Sequence, residues 1–200
     1  MSNINRIKTR LFLLLWLIIA QGSIAGAQTA ASGMYLTEKD FLNRKLNYPL
    51  PENARINLHE FWGGTHVTFN YQGSKKTLSK SETFGCRIKN TDYRFFHNSP
   101  YQIIDTAGFL LYTRYLLIPK SKGAMLSRQY YFSTDYLAEI WPLTKATLEK
   151  AFMQKTAFRY AVQSFFPNDQ ELSEYDSAEN QYKLKYIYFH AQLHSSKPFK

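Results

Sequence analysis

Between His66 and Tyr71 apolar and polar side chains alternate, with Val67, Phe69 and Tyr71 on one side and His66, Thr68 and Asn70 on the other. A period of two is that of a half-buried strand. Gln72-Gly73-Ser74 is a hairpin signal leading into Lys76-Thr77-Leu78. Further β-prone runs follow at 84–88, 93–96, 101–105, 109–117 and 128–132, separated by Lys89-Asn90-Thr91-Asp92, Asn98-Ser99-Pro100, Thr106-Ala107-Gly108 and a loop over 119–123. Six or seven strands at this spacing predict an antiparallel meander, not alternating strand and helix units.

On either side of these strands the period changes to that of a helix. Thr37-Glu38-Lys39-Asp40 sets a hydroxyl at a helix start with an acid three residues later, and Leu36 and Phe41 could staple it. A short helix to about Lys45 is expected, after which Pro49 and Pro51 enforce extended or turn structure. Toward the C-terminus, Thr144 is an N-cap before Leu148, Ala151, Phe152, Phe158, Val162 and Phe165, with Pro167 just beyond and Gln154-Lys155-Thr156 able to split the run in two. A second cap at Asn168 or Asp169 opens a segment whose Leu172, Tyr175, Tyr182, Tyr186, Phe189 and Leu193 form one apolar stripe; a strand ending at 185–189 is the alternative. The predicted fold is α+β: a twisted antiparallel meander covered by C-terminal helices, with a short N-terminal helix.

Arg6, Lys8 and Arg10, an apolar run over 11–20, and Ala25-Gly26-Ala27 make the three-part secretory pattern, with cleavage expected after Ala27. An apolar run of that length rises only about 15 Å as a helix, half of a hydrocarbon core, which disfavours an uncleaved anchor. Residues 1–27 are therefore read as a signal peptide and 28–200 as a single domain with a polar leader over 28–33. The product is expected in the periplasm or outside the cell, with no transmembrane segment after cleavage and no cysteine near the cut for acylation. The 200 residues contain one cysteine, which excludes a disulfide framework. Cys86, alone in an oxidising compartment, is read as a buried small apolar residue in preference to an intermolecular link.

Charge is unevenly placed. Residues 75–128 hold ten bases and three acids, and the rest of the mature chain is neutral. Within that stretch bases interleave with aromatics, as in Tyr93-Arg94-Phe95-Phe96, Tyr112-Thr113-Arg114-Tyr115 and Arg128-Gln129-Tyr130-Tyr131-Phe132. Such a pattern can stack sugars or bases while contacting phosphate or sulfate; alternation of core aromatics with solvated bases along a strand produces the same pattern. Export makes nucleic acid an unexpected partner. His59-Glu60-Phe61-Trp62-Gly63-Gly64-Thr65-His66 reads as a turn before the strand, lacking the helical spacing of a zinc motif, although Trp62 could lend itself to a ligand or partner. His190 and His194 would stand one turn apart if the last helix continues that far, near a chain end expected to fray. A Cys86 nucleophile with His66 or His97 as base has no local signature, and no phosphate loop, dinucleotide fingerprint or nucleophile elbow occurs.

Gly33-Met34-Tyr35-Leu36-Thr37-Glu38-Lys39-Asp40-Phe41-Leu42, Tyr93-Arg94-Phe95, Tyr130-Tyr131-Phe132-Ser133, Pro142-Leu143-Thr144-Lys145 through Ala151-Phe152, and Asn168-Asp169 to Tyr175-Asp176, taken in order, resemble a family of small exported bacterial proteins of unknown function. The resemblance implies export and a shared fold, and nothing catalytic. The first expectation is thus a non-enzymatic envelope protein that binds an anionic glycan, another envelope component or a protein through Trp62, Arg94, Arg114 and Arg128 on a basic, aromatic-rich sheet, with no cofactor. A hydrolase or metal-dependent enzyme using His59, His66, His97 or Cys86 is the alternative. A structural partner of a surface assembly, marked by an exposed apolar patch, is the third.

Overall fold

The computed structural model describes residues 32–60, 64–120 and 123–195. The expected signal peptide and Trp62 lie outside the described residues. Ala31–Lys200 forms one compact unit. Its strands are β1 (Ser32–Tyr35), β2 (Tyr48–Leu50), β3 (Ile56–Asn57), β4 (His66–Tyr71), β5 (Ser74–Ser79), β6 (Gly85–Ile88), β7 (Thr91–Phe96), β8 (Ser99–Asp105), β9 (Leu110–Lys120), β10 (Gly123–Ser133), β11 (Trp141–Pro142), β12 (Tyr175–Asp176) and β13 (Gln181–Tyr182). The helices are α1 (Glu38–Leu42), α2 (Lys145–Ala151), α3 (Thr156–Phe165) and α4 (Lys183–Ser195).

An eight-stranded antiparallel sheet in the order β11-β10-β9-β8-β7-β6-β1-β2 is the scaffold, so the protein is mostly antiparallel β with a few helices. The consecutive strands β6 to β10 are a meander, joined by tight turns such as His97-Asn98, where both residues have positive φ as a type I′ hairpin requires. Two expectations change. The β4–β5 hairpin does not continue the meander but joins β3 in a separate three-stranded sheet. Ser32 and Gly33, read as polar leader, begin the fully buried β1, which pairs with β6 and β2 inside the large sheet. Their small side chains suit that interior: a Cβ on Gly33 would come within 2.5 Å of the Tyr48 carbonyl oxygen.

Register assigns each side chain a face. Met34, Cys86, Tyr93, Gln102, Thr113 and Tyr130 form one row across the sheet. Tyr35, Gly85, Arg94 and Tyr101 form a row pointing the other way. The first face is covered in two halves. Over β1, β2, β6 and β7 the small sheet brings Val67 and Phe69 onto Met34, Leu50, Cys86 and Phe95. Over β9 and β10 the C-terminal helices bring Leu148, Phe152, Phe158, Val162, Leu184 and Ile187 onto Phe109, Leu111 and Phe132. The second face carries α1, whose Phe41 meets Tyr35, Phe84 and Tyr136, and a smaller core of Leu110, Tyr112 and Ile140.

Local chemistry explains the helix boundaries. Thr37 and Asp40 close a capping box on α1, which ends at Leu42, short of Lys45. Thr144 caps α2 with Thr147, and the Asp169 carboxylate accepts from the Lys145 N–H at the same helix start. The acidic stretch after Asn168 is therefore not the start of a long helix. It forms a 3₁₀ turn, Asp169–Ser173, and then the β12–β13 hairpin, where Tyr175 pairs with Tyr182. Only at Lys183 does α4 begin. It buries Leu184, Ile187 and Tyr188 and leaves Tyr186 and Phe189 exposed, so the expected stripe is out of phase at 186 and 189 with the face that packs.

One buried cation fastens α4 to the sheet. Lys185 is 1% exposed, and its ammonium donates to the carbonyls of Ala107, at 2.7 Å, and Phe109, stands 3.6 Å from the Phe109 ring centroid, and lies 3.4 Å from the Asp105 carboxylate. Phe109 in turn packs on Phe132, Phe152, Phe158 and Tyr188. Gly108, at φ +73, makes the turn beneath this contact, and any Cβ there would strike Tyr188. Burial pushes Lys185 down to about 8, against the opposing pull of Asp105. A lysine whose folded value lies below its unfolded one costs stability while it is charged in both states, and the cost is relieved as pH rises through the folded value. Unfolding free energy should therefore rise more steeply between about pH 7.5 and 9.5 in the wild type than in Lys185→Met, by at most about 1.4 kcal/mol per pH unit. Tyr112 and other tyrosines raised by burial act in the opposite direction, but only as pH passes about 10. Urea titrations of both proteins across that window measure the difference; equal slopes would contradict the burial of the charge.

Candidate functional site

The sheet disperses the residues that the sequence grouped. Arg94 is 4% exposed, and its guanidinium donates to the Tyr112 hydroxyl at 3.1 Å, the Ser133 hydroxyl at 3.4 Å and the Ala138 carbonyl at 2.7 Å. It ties β7 to the segment after β10, a structural role that engages its guanidinium on three acceptors. Arg114 is on the same face, half-buried, with its guanidinium 5.6 Å from the Tyr101 ring. Arg128 is exposed on the opposite face, 5.2 Å from the Tyr130 ring. The basic stretch is therefore not one basic face. Lys80 and Lys185 are buried and Arg87 is held bidentately by Asp92, at 2.7 and 2.8 Å, which removes further charge from the surface.

The alternative catalytic group does not assemble either. Cys86 is fully buried between the two sheets, and burial pushes its thiol up, away from the reactive thiolate. His59 and His66 stand on the outer face of β4: His59 Nε2 is 2.9 Å from the Thr68 hydroxyl and His66 Nδ1 is 2.7 Å from that of Thr65. His97 is exposed in the β7–β8 turn and stacks on Phe96. Among the described residues no cluster of three or more His, Cys, Asp or Glu is placed to hold a metal ion. His190 is exposed beside Tyr186, and α4 carries the backbone on through position 194.

A cavity of about 720 Å³ opens between α1, the residues after β5 and the β7–β8 turn, lined by Glu38, Lys80, Glu82, Arg94 and His97 among others. Its two innermost cations already have structural partners. The Lys80 ammonium donates to the carbonyls of Gly64 at 2.6 Å and Asn98 at 3.0 Å, and burial lowers its pKa. Arg94 is held as described above. What remains at the mouth is Glu38, Glu82, Lys39 and His97, with no excess of positive charge.

The feature with no structural purpose inside the domain is the outer part of β9 and β10. The two strands pair over their whole length of eleven residues each, from Leu110 opposite Ser133 to Lys120 opposite Gly123. β8 pairs with β9 only as far as Thr113, and β11 pairs with β10 only at Tyr131 and Phe132. From Arg114 to Lys120 and from Gly123 to Gln129 the ribbon has no third strand among the described residues. At about 3.3 Å per residue this unflanked part is roughly 20 Å long. Its side chains there are apolar and open to solvent: Tyr115 is 56% exposed, Leu117 61%, Leu126 60% and Met125 46%. Arg114 and Arg128 sit at the base of this band, and between Asp105 and Asp135 the chain has four bases and no acid.

The ribbon was partly missed from the sequence, which reads 119–123 as a loop and starts the next strand at 128. Pro119 is instead a strand residue opposite Ala124, tolerated because an open ribbon has no third strand needing its N–H. The signal that could have found it is a break in alternation: Tyr115-Leu116-Leu117-Ile118 is apolar at both parities, which suits a strand buried on both faces or one awaiting a partner. No family model, curated protein or solved structure matches the chain.

The different placements of the three arginines separate them experimentally. Arg94→Ala should lower the unfolding free energy by about 2 kcal/mol, because it takes the donor from the Ala138 carbonyl and empties a buried site, while the Tyr112 and Ser133 hydroxyls keep each other at 2.8 Å. Arg114→Gln and Arg128→Gln should each stay within about 0.5 kcal/mol of wild type in urea unfolding.

Proposed function

We propose that the chain is an exported, non-enzymatic binding protein of the bacterial envelope, and that the outer half of the β9–β10 ribbon is its contact surface for an anionic partner. On this proposal residues 1–27 act as a cleaved signal, the product resides in the periplasm or outside the cell, and the segments quoted above reflect membership of the group of small exported proteins that they resemble. The helix-covered antiparallel meander is the rigid support. The observation that carries the reading is the co-location of exposed Tyr115, Leu117 and Leu126 with Arg114 and Arg128 on a ribbon that has no third strand among the described residues. Scattered apolar residues on a surface need no explanation, but Tyr115, Leu117 and Leu126, strongly exposed on one face of two paired strands, form a patch. Arg114 and Arg128, in a stretch of chain that has no acid between Asp105 and Asp135, give that patch a preferred sign of partner.

The test is retention of the chain from Gln28 on immobilised dextran sulfate, a soluble polyanion, with elution by salt. The wild type should be retained at low salt, and Arg114→Gln/Arg128→Gln should elute at clearly lower salt with an unchanged melting temperature. Identical elution of the two proteins would place the anionic contact elsewhere, for example on Lys75 and Lys76 of β5, and would overturn the reading.

A further inference from the structure

Building on the ribbon as contact surface, we infer that its occupant is the headgroup region of an anionic lipid bilayer. Three features of the ribbon lead there. First, the order of side chains along it is banded: Arg114 opposite Gln129 and Tyr115 opposite Arg128 at the base, then Leu116 to Pro119 opposite Ala124 to Ser127. Cationic groups at the base of an apolar band suit a surface with anions outside and hydrocarbon just below, because basic heads can stay among phosphates while the band sinks about 5–10 Å.

Second, apolar side chains occupy both faces of the ribbon. Tyr115, Leu117 and Leu126 project from the helix side of the sheet, while Met125, with the half-buried Leu116 and Ile118, projects from the other. A protein partner resting on one face would leave the second in water, whereas a lipid interface can close around both. Third, the outer edges of the ribbon carry backbone N–H and C=O groups with no third strand, among the described residues, to satisfy them. Such groups are too costly in hydrocarbon and are readily satisfied among headgroups and interfacial water, which limits the depth to the interface. Among the described residues no helix is long and apolar enough to cross a membrane, so interfacial contact through the ribbon is the membrane association that the described elements support.

The experiment is sedimentation of the chain from Gln28, which keeps the whole Ala31–Lys200 unit, with vesicles of phosphatidylcholine alone and of phosphatidylcholine with phosphatidylglycerol. Binding should be at least about tenfold stronger to the anionic vesicles, weaken with salt, and fall about tenfold or more in Leu117→Thr/Leu126→Thr, which keeps every charge and strand propensity while removing apolar surface. Circular dichroism and the melting temperature of that variant should match the wild type, since neither side chain is part of the core. Salt-sensitive retention on dextran sulfate with no sedimentation on anionic vesicles would overturn the bilayer as occupant while leaving the anionic-contact reading in place; failure of both would remove the two together. Vesicle binding that Leu117→Thr/Leu126→Thr leaves unchanged would reduce it to general electrostatics and overturn the inference. A dimer seen by analytical ultracentrifugation, dissolved by the same variant and accompanied by no vesicle binding, would replace the bilayer with a second copy of the chain.

Discussion

The unbroken pairing of β9 with β10 is the constraint on which the rest of this structure depends. The inner part of the ribbon belongs to both cores at once, with Leu111 and Phe132 turned toward the helices and Leu110 and Tyr112 turned toward the opposite face. Because a strand alternates, the same ladder that fixes these residues also fixes Tyr115, Leu117 and Leu126 farther out, where they stay largely exposed. An apolar surface held in place by a ladder loses little conformational freedom when it binds, so its exposure before binding is compatible with useful affinity.

Three buried cations hold the layers around that ribbon. Lys185 joins α4 to the β8–β9 turn, Arg94 joins β7 to the segment after β10, and Lys80 joins the residues after β5 to Gly64 and to the β7–β8 turn. Their acceptors are mainly backbone carbonyls and hydroxyls, which can satisfy an ammonium or guanidinium without a second buried charge. The consequence for function is subtraction. A local excess of bases along the chain becomes, once folded, a smaller set of exposed ones, and Arg114 and Arg128 are the pair adjacent to exposed apolar surface.

The antiparallel character of the sheet was legible because period-two alternation and turn chemistry agree along residues 84–117, whereas the order of its strands was not. The hairpin at Gln72-Gly73 was equally plain, yet no local signal says that β4 and β5 form a sheet of their own, since that depends on which face finds a partner. Ser32-Gly33 looked like leader because small residues carry no hydrophobic signature, although small size is what the interior of the sheet requires there. The last helix was placed too early because acids after Asn168 and tyrosines at 175 and 182 satisfy a helical count, while the backbone spends them on a 3₁₀ turn and a two-residue hairpin. Arg94 and Arg128 are indistinguishable by pattern, each lying beside an aromatic in a strand. Only the third dimension separates a buried clamp from an exposed base.

The central claim is that the outer ribbon, and not the cavity beside Lys80, is where this protein meets its partner. Hydrogen exchange read by mass spectrometry, with and without anionic vesicles, tests it most directly. The account predicts new protection confined to peptides covering 114–129, where the ladder has no flanking strand. Protection centred on 36–39, 80–84 and 94–98, with the ribbon unchanged, would contradict it.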